Sequence, residues 1–419
     1  MTAYLKHTSK SVLTAASCVL LVLLLCHASD GDMTSYRTDV LMRYTALLSV
    51  PALSLSLLSL KKVRWGPTDL LLLLMAGTYS LSAYIGAGAR SEVSKAALEE
   101  VFPYVLLWFS IKALSSVNGR GWNTFLMSVL CIWLMTESVN GLSQVFGHRP
   151  SGHAGFGMTG SFSNPGPYGG FIAVLMSVSA SYALRHRHLM GLISKPFLKG
   201  IAGIRPGQIY GSAYLRWILL RFIPFAIASA AAVLGFMVLP ATRSRAGWLA
   251  LCVALLLYAC RETHLWSRLR YRRVAVAVLA VVIPAAAGGG FMLKKDSALG
   301  RLHIWNVETR AVASSPLIGY GPGTALGAYG ETQEAYFRSA EREAWEKRVA
   351  GCPEYAFNEY LKAGIEAGLP DLVLAVCIAA FSVSELMKSG SFFAYGAAAS
   401  AVCAFFSYPL SVQPLAMLY

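Results

Sequence analysis

Charged residues are scarce in this sequence. They make up 14% of the 419 residues, whereas a soluble globular domain typically has about 25%. Apolar residues make up 56%, which is too many for a chain that cannot collapse into a folded structure. The composition therefore argues against an ordinary water-soluble enzyme and against an intrinsically disordered protein.

Motifs for disulfide, metal and nucleotide chemistry are also missing. Seven of the eight cysteines lie in or beside apolar segments, and Cys352 alone lies well out in a loop, so no disulfide framework is predicted. The sequence has no Cys-x-x-Cys pair, no histidine cluster with metal spacing and no Gly-x-x-x-x-Gly-Lys-Ser/Thr loop. We therefore expect no metal ion and no cofactor.

Long apolar segments recur along the chain. A helix needs about 20 residues to cross a bilayer, and windows of this length predict eleven spans, with a twelfth left open. They lie near residues 11–28, 41–60, 67–86, 100–117, 123–142, 166–184, 217–239, 246–260, 274–293, 366–387 and 391–412. The first could instead be a signal peptide, because two lysines precede it. The sequence predicts an all-α polytopic membrane protein.

The distribution of charge supports this interpretation. The chain has 36 basic and 21 acidic residues, a formal net charge of +15. If the N-terminus is cytoplasmic, alternate loops hold nineteen basic residues and one carboxylate, Glu262, while the opposite loops mix both signs. The basic excess then indicates membrane orientation. The basic run at 268–273 is expected to contact anionic lipid heads, and no nucleic-acid partner is predicted.

Three non-cytoplasmic segments contain unusual residues. Residues 143–167 are rich in Gly, Ser, Asn and Pro, which excludes a regular helix and leaves either a surface loop or a cavity lining. Residues 240–248 place Arg243 and Arg245 at the outer mouth of a span, where an anionic ligand or a lipid phosphate would compensate a cation. The third segment, residues 294–359, is the largest loop.

This large loop divides the chain. Residues 1–293 are predicted to hold nine spans, residues 294–359 to form a loop domain, and residues 360–419 to hold the C-terminal spans. Within the loop, Arg301 and Trp305 are four residues apart and share one helix face. The charged stretch at 331–349 predicts a solvated helix.

Five motifs occur in a recognisable order. They are GSFSNPGPYGG at 160–170, SRAGW at 244–248, Arg-x-x-x-Trp at 301–305, SPLIGYGPG at 315–323 and FNEYL at 357–361. Together they resemble the O-antigen ligase and polymerase superfamily over roughly residues 140–410. The resemblance implies a metal-independent, inverting GT-C-type glycosyltransferase at the periplasmic face of the bacterial inner membrane. Its donor would be a glycan on undecaprenyl diphosphate.

The resemblance also implies roles for individual residues. Arg245 and Arg301 match the arginines expected to hold the donor diphosphate, and guanidinium groups suit this task because they bind phosphate oxygens bidentately. Arg243 and Arg310 are expected to help. The other predicted substrate-binding or cavity-shaping residues are Asn164, Tyr168, Trp305, Tyr320, Tyr355 and Asn358.

One position departs from the ligase pattern. The family commonly has a histidine before Asn-Glu-Tyr-Leu as the general base, and this chain has Phe357, which cannot accept a proton. We predict Glu359 as the base, with Glu354, His303 or no protein base as alternatives. The phenylalanine form and the closing SYPLSVQPL at 407–415 resemble a Bacteroidetes-like branch.

The motifs leave the acceptor open. Lipid A-core would define a ligase, which we rank first. The growing glycan would define a polymerase, and a protein hydroxyl would define a protein O-oligosaccharyltransferase. A transporter of lipid-linked sugars would also need many spans, but it should show internal repeats. No such repeat is visible, and the single large loop favours an enzyme.

Overall fold

A computed structural model describes residues 2–28, 38–58, 65–86, 88, 91–192, 218–262 and 295–419. Within these ranges the regular structure is helical and no strand is present. The predicted all-α polytopic architecture is therefore confirmed. The predicted span at 274–293 and the basic run at 268–273 lie outside the described residues.

The described residues form fifteen α-helices. They are α1 (Thr2–Ala28), α2 (Thr38–Leu57), α3 (Pro67–Ile85), α4 (Ser91–Asn118), α5 (Arg120–Val145), α6 (Pro165–Arg185), α7 (His188–Leu192), α8 (Ile223–Val238), α9 (Arg245–Glu262), α10 (Lys295–Ser314), α11 (Ala325–Ser339), α12 (Ala344–Val349), α13 (Glu359–Lys388), α14 (Phe393–Phe406) and α15 (Gln413–Ala416). A π-helical turn at Ile218–Phe222 precedes α8, and 3₁₀ turns lie at Leu239–Thr242 and Pro409–Ser411.

Seven helices in the described part of the chain are long and apolar enough to cross a membrane. These segments are Ser9–Cys26, Pro67–Ile85, Ser91–Asn118, Gly121–Val145, Pro165–Arg185, Leu220–Thr242 and Glu359–Lys388. Two shorter apolar helices, Leu41–Leu57 and Phe393–Phe406, accompany them. The last predicted span, 391–412, ends at Phe406 because Ser407 is extended and a proline follows at 409.

Helix α6 lies at the centre of the bundle. Most of its length is buried, and it packs against α5, α8, α9 and α14. Small residues allow this close approach. A Cβ atom at Gly169 would lie 2.2 Å from Ser244 Cβ, and one at Gly247 would lie 2.5 Å from the Gly169 carbonyl oxygen. The start of α9, which carries Arg245, is therefore seated directly on α6.

Two polar side chains of α5, the half-buried Gln144 and the buried Glu137, hold the irregular segment between α5 and α6 against α5. Gln144 Oε1 accepts hydrogen bonds from the backbone of Thr159 (2.9 Å) and Gly160 (2.8 Å). Glu137 Oε1 accepts one from Ser161 Oγ at 3.0 Å. Residues 158–160 are buried as a result, whereas residues 145–150 are exposed. The segment is non-helical, as its composition predicts.

A cleft of about 450 Å³ runs along this segment. It is lined by Gln144, Pro150, Ser151, Gly152, Gly160, Ser161, Phe162 and Ser163. The lining mixes polar and apolar residues and comes from both ends of the segment, which fits the expectation that this part of the chain borders a cavity.

The charged stretch at 331–349 is not one helix. Helix α11 ends at Ser339 and α12 begins at Ala344. The side chain of Arg342 bends back and donates from Nε (3.0 Å) and Nη2 (2.9 Å) to the carbonyl oxygen of Tyr336, in the last turn of α11. This contact satisfies a carbonyl that the helix leaves unpaired. Glu334 and Arg338 form a salt bridge at 2.6 Å, and both side chains are solvent-exposed.

Helix α13 is broken inside its apolar stretch. Ala367 and Gly368 have non-helical backbone angles, with φ +83° at Gly368. The segment at 316–321 fills the break: Gly321 N donates to the Glu366 carbonyl oxygen at 2.8 Å, and Leu369 N donates to the Pro316 carbonyl oxygen at 2.8 Å. Backbone groups at membrane depth need such partners. The SPLIGYGPG motif thus docks against a broken helix.

Candidate functional site

Arg245 is the first residue of α9. The preceding 3₁₀ turn ends at Thr242 and is followed by Arg243, which is exposed and has a left-handed φ of 52°. The half-buried side chain of Arg245 extends toward α10, where its Nη2 donates to Ser297 Oγ at 3.1 Å. This places the guanidinium group between the start of α9 and the first turns of α10.

Arg301 lies on α10 and is also half-buried. Its Nη1 donates to the carbonyl oxygen of Phe406 at 2.9 Å, and its guanidinium carbon lies 5.0 Å from the centre of the Phe357 ring. Burial and the positive charge of Arg245 lower the pKa of Arg301. Arg245 and Arg301, far apart in sequence, are therefore near enough for the charge of one to act on the other.

The electrostatic environment of the Arg245–Arg301 pair is unusual. Within the described residues, Arg301 has no carboxylate in salt-bridge contact. Two neighbouring guanidinium groups repel each other, and partial burial removes part of the water that would screen them. A bound anion would relieve this repulsion, and guanidinium forks match phosphate oxygens.

Phe357 and two tyrosines form an aromatic shelf beside Arg301, defined here as Tyr355, Phe357 and Tyr408. The Tyr355 and Tyr408 rings are parallel, with centroids 3.9 Å apart, and Tyr408 meets Phe357 edge-on at 5.2 Å. Phe357 has φ +52°, a left-handed conformation that is uncommon for a bulky residue. At the position where the ligase pattern has a histidine, this chain thus has an apolar ring, and the Arg301 guanidinium group lies over that ring.

Trp305 lies one turn after Arg301 on the same face of α10. The centroid of its ring lies 5.5 Å from that of Phe405 and 6.0 Å from that of Phe406. Its buried indole N–H has no hydrogen-bond partner in the part of the chain described. Arg301 and Trp305 therefore meet the same end of α14, as their spacing predicts.

Asn358 and Glu359 occupy the first positions of α13. Asn358 is the N-cap, and its Oδ1 accepts from the backbone of Tyr360 (3.0 Å) and Leu361 (3.1 Å). Glu359 is buried, with 6% of its surface exposed, and its Oε1 accepts from Leu410 N at 2.7 Å. The carboxyl group of Glu359 is therefore enclosed by protein and is not a solvated group at a helix end.

Glu354 differs from Glu359 in its access to solvent. It is exposed and lies next to the aromatic shelf. Burial and the negative charge of Glu354 raise the pKa of Tyr355. Glu354 thus acts on the aromatic shelf from the protein surface, whereas Glu359 is enclosed at the start of α13.

Two residues predicted from the sequence, Arg310 and His303, have their contacts away from the Arg245–Arg301 pair. Arg310 is nine residues after Arg301, so it points to the opposite face of α10. There its guanidinium carbon lies 4.8 Å from the centre of the Tyr336 ring. His303 is buried between α10 and α11, where its Nε2 lies 3.1 Å from Gln333 Oε1. The predicted roles of Arg310 as a diphosphate ligand and of His303 as an alternative base stay predictions, and the contacts shown for both side chains are with α11.

Asn164 and Tyr168 have contacts within the protein. Asn164 is the N-cap of α6 and accepts from Gly166 N at 2.9 Å. Tyr168 is fully buried, and its hydroxyl donates to the Glu137 carbonyl oxygen at 2.8 Å. Both residues therefore position the start of α6, and Tyr168 has no surface for a ligand.

Sequence reasoning missed Tyr408 and Glu308. Tyr408 lies in the shelf but follows α14, about 50 residues after Tyr355, and only the fold brings the two together. Glu308 is seven residues after Arg301, on the same face of α10. The helical repeat that relates Arg301 to Trp305 could have identified Glu308.

The fold and the arginine pair define a multi-pass, all-α membrane protein with a helical segment, α10 to α12, between the helices α9 and α13. Residues 230–376 match the O-antigen ligase family model. The match contains Arg245, Arg301 and the Phe-Asn-Glu-Tyr-Leu motif. The match covers about a third of the chain and supports the predicted resemblance to the O-antigen ligase superfamily, with a membrane glycosyltransferase-like function of the ligase or polymerase type. No curated protein matches the chain.

Proposed function

We propose that this protein is an O-antigen ligase-like glycosyltransferase of the bacterial inner membrane. It transfers a glycan from undecaprenyl diphosphate to a hydroxyl of lipid A-core at the periplasmic face. The observation that carries the proposal is that the positive charge of Arg245 acts on the half-buried Arg301, although the two residues come from separate helices of the segment that matches the family model. Such a pair suits a diphosphate, which carries adjacent negative charges.

The arginines would act on the leaving group. As the acceptor oxygen bonds to the anomeric carbon, the bond from that carbon to the diphosphate oxygen breaks, with inversion of configuration. Negative charge then grows on undecaprenyl diphosphate. Guanidinium groups already in place stabilise this charge without reorganisation. In this mechanism they supply the positive charge that a divalent metal supplies in other transferases.

The surrounding elements have distinct proposed tasks. Residues 1–293 and 360–419 anchor the protein in the bilayer and admit the lipid tail of the donor, and residues 294–359 cover the reacting groups. The shelf member Tyr355 and the neighbouring Trp305 are proposed to contact sugar rings, because both present aromatic surface near Arg301. Arg243, exposed just before Arg245, is proposed to assist donor capture.

The acceptor proton requires a base, and we propose Glu359. Phe357, two residues earlier, contacts Arg301 and thereby brings the first turn of α13 next to the donor site. The acceptor hydroxyl would give its proton to this carboxylate as the new glycosidic bond forms. Because Glu359 is buried, acceptor binding would have to open its contact with Leu410.

Paired substitutions test the base. We expect Glu359→Gln to lower the turnover rate by about 10²- to 10⁴-fold, because glutamine fills the same space and cannot accept a proton. Glu354→Gln should stay close to the wild-type rate, measured as release of undecaprenyl diphosphate under single-turnover conditions. The reverse result would transfer the role to Glu354, and full activity of both variants would remove a carboxylate base from the mechanism.

The choice of acceptor is tested directly. Purified protein in lipid nanodiscs is given a short undecaprenyl-diphosphate glycan together with lipid A-core, with free glycan or with a protein bearing serine and threonine. We expect lipid A-core to gain the glycan, with inverted anomeric configuration, and without added metal. Elongation of the donor glycan would make the protein a polymerase, and labelled protein would make it a protein O-oligosaccharyltransferase. Transfer to none of them would contradict the proposal.

A further inference from the structure

The cleft beside the segment between α5 and α6 has no role in the mechanism above, yet polar side chains fix its shape. Gln144 Nε2 donates to the carbonyl oxygens of Pro150 (3.1 Å) and Gly160 (2.7 Å), which lie on its two walls. Gln144 Oε1 accepts from the backbone of Thr159 and Gly160. All the hydrogen-bonding groups of this amide are thus used to join the walls, so the cleft is formed before any ligand arrives, as binding sites usually are.

Ser161 is a lining residue that α5 fixes from behind. Its Oγ donates to Glu137 Oε1 at 3.0 Å and accepts from Asn140 Nδ2 at 2.8 Å. Its backbone N–H donates to Glu137 Oε2 at 3.1 Å. Glu137 is buried, with 3% of its surface exposed. The lining is therefore backed by a fully bonded carboxyl group and cannot easily collapse into the space of the cleft.

The cleft is polar but carries no charge of its own. None of its eight lining residues is ionisable, and the group directly behind Ser161 is a carboxyl group, which does not attract an anion. Ser163 is half-buried in the lining, and its hydroxyl has no hydrogen-bond partner within the described ranges. A hydroxyl can donate one hydrogen bond and accept two. These groups suit an uncharged ligand that carries hydroxyls and do not suit a phosphate.

The cleft lies at the end of the bundle where Arg245 lies. Ser244, which directly precedes Arg245, donates from Oγ to the Gly166 carbonyl oxygen at 3.3 Å. Ser163 is three residues before Gly166, and three residues span at most about 11 Å. The starts of α6 and α9 therefore connect the cleft to the arginine that we propose for the donor diphosphate.

We propose that this cleft binds uncharged sugar residues, either of the donor glycan or of the oligosaccharide that accepts it. Sugar hydroxyls would exchange hydrogen bonds with Ser163 and with the other polar groups of the lining, and sugar C–H groups would meet the exposed Pro150. The diphosphate would stay at the Arg245–Arg301 pair, so the cleft would select the glycan and leave recognition of the carrier to the arginines. The inference rests on the proposed function, because it assumes sugar-bearing substrates.

Calorimetric titration of the protein in nanodiscs tests this with three probes: bare undecaprenyl diphosphate, undecaprenyl diphosphate bearing a short uncharged glycan, and lipid A-core. Ser163→Ala removes one hydroxyl and should weaken binding of a sugar-bearing probe by about 2- to 10-fold. Ser163→Trp fills the cleft and should weaken it by about tenfold or more. Bare undecaprenyl diphosphate should bind both variants like the wild-type protein, since it has no sugar.

Ala154→Trp is the matched control. It adds the same ring at an exposed position of the same segment, outside the lining of the cleft, and should bind all three probes like the wild-type protein. Thermal unfolding of each variant separates weaker binding from loss of the fold, and Ser163→Ala, the smaller change, provides the test if Ser163→Trp does not fold.

The three probes distinguish the sources of the sugar. Weaker binding of the glycan-bearing carrier assigns the cleft to the donor, and weaker binding of lipid A-core assigns it to the acceptor. If the Ser163 variants bind both probes like the wild-type protein, or lose affinity equally for the bare carrier, the inference is wrong. Glycan transfer is measured in parallel: selective loss of sugar binding without any transfer by the wild-type protein would contradict the proposed function and support the cleft.

Discussion

Arg301→Ala should lower the rate of undecaprenyl diphosphate release by about 10²- to 10³-fold while the protein remains folded. The guanidinium group is half-buried, donates to the Phe406 carbonyl oxygen at 2.9 Å and lies over the Phe357 ring. These contacts hold it in one orientation before the donor arrives. Alanine removes both the charge and the fixed fork of donors, so the developing charge on the diphosphate loses its partner.

The same loss is expected for Arg245→Ala, because the two guanidinium groups act on one leaving group. Arg301→Lys keeps the charge and should recover only part of the rate, since lysine cannot bind two phosphate oxygens with a planar fork. Arg338→Ala is the matched control: it removes an exposed arginine of α11 that pairs with Glu334. If both Arg245→Ala and Arg301→Ala retain wild-type rates, the donor site lies elsewhere.

Gly319→Ala should destabilise the fold by roughly 3 kcal/mol or more. Gly319 has φ +73°, and a Cβ atom there would lie 2.5 Å from the backbone nitrogen of Ala367 and from the carbonyl carbon and oxygen of Glu366. These are backbone atoms of the broken helix α13 and cannot move aside like a flexible side chain. The substitution should therefore push the 315–323 segment off the break and expose unpaired backbone groups.

Thermal unfolding in detergent measures this effect. Gly330→Ala provides the control, because a Cβ atom at Gly330 meets nothing within 4 Å and the residue lies inside α11. Alanine in a helix interior is favoured over glycine by about 0.5–1 kcal/mol, so this variant should unfold at the same or a slightly higher temperature. Equal unfolding temperatures for Gly319→Ala and the wild-type protein would show that the segment does not depend on this close contact.

The helical architecture and most predicted spans followed from composition and hydropathy, because a bilayer requires long apolar helices. The break in α13 did not follow from composition or hydropathy. The sequence predicted a continuous span at 366–387, whereas α13 begins at Glu359 and is interrupted at Ala367 and Gly368. The interruption depends on hydrogen bonds from the 316–321 segment, a tertiary contact over about 50 residues that no local pattern records.

The sequence identified some residues of the candidate site and missed others, because local patterns do not record tertiary contacts. The motifs identified Arg245 and Arg301, and the structure places them together. Arg310 was predicted as a helper from the resemblance, and its helix phase turns it toward Tyr336. Tyr408 could not be found from the sequence, since its contact with Tyr355 depends on the way the chain returns after α14.

The central claim is that the Arg245–Arg301 pair binds the diphosphate of a lipid-linked glycan and supports its transfer without a metal ion. The most direct measurement is the release of undecaprenyl diphosphate by the purified wild-type protein in nanodiscs, with lipid A-core present and a chelator added. The account predicts multiple turnovers that are unchanged by the chelator and lost in the Arg245→Ala/Arg301→Ala double variant. No release by the wild-type protein, or release that requires magnesium, would contradict it.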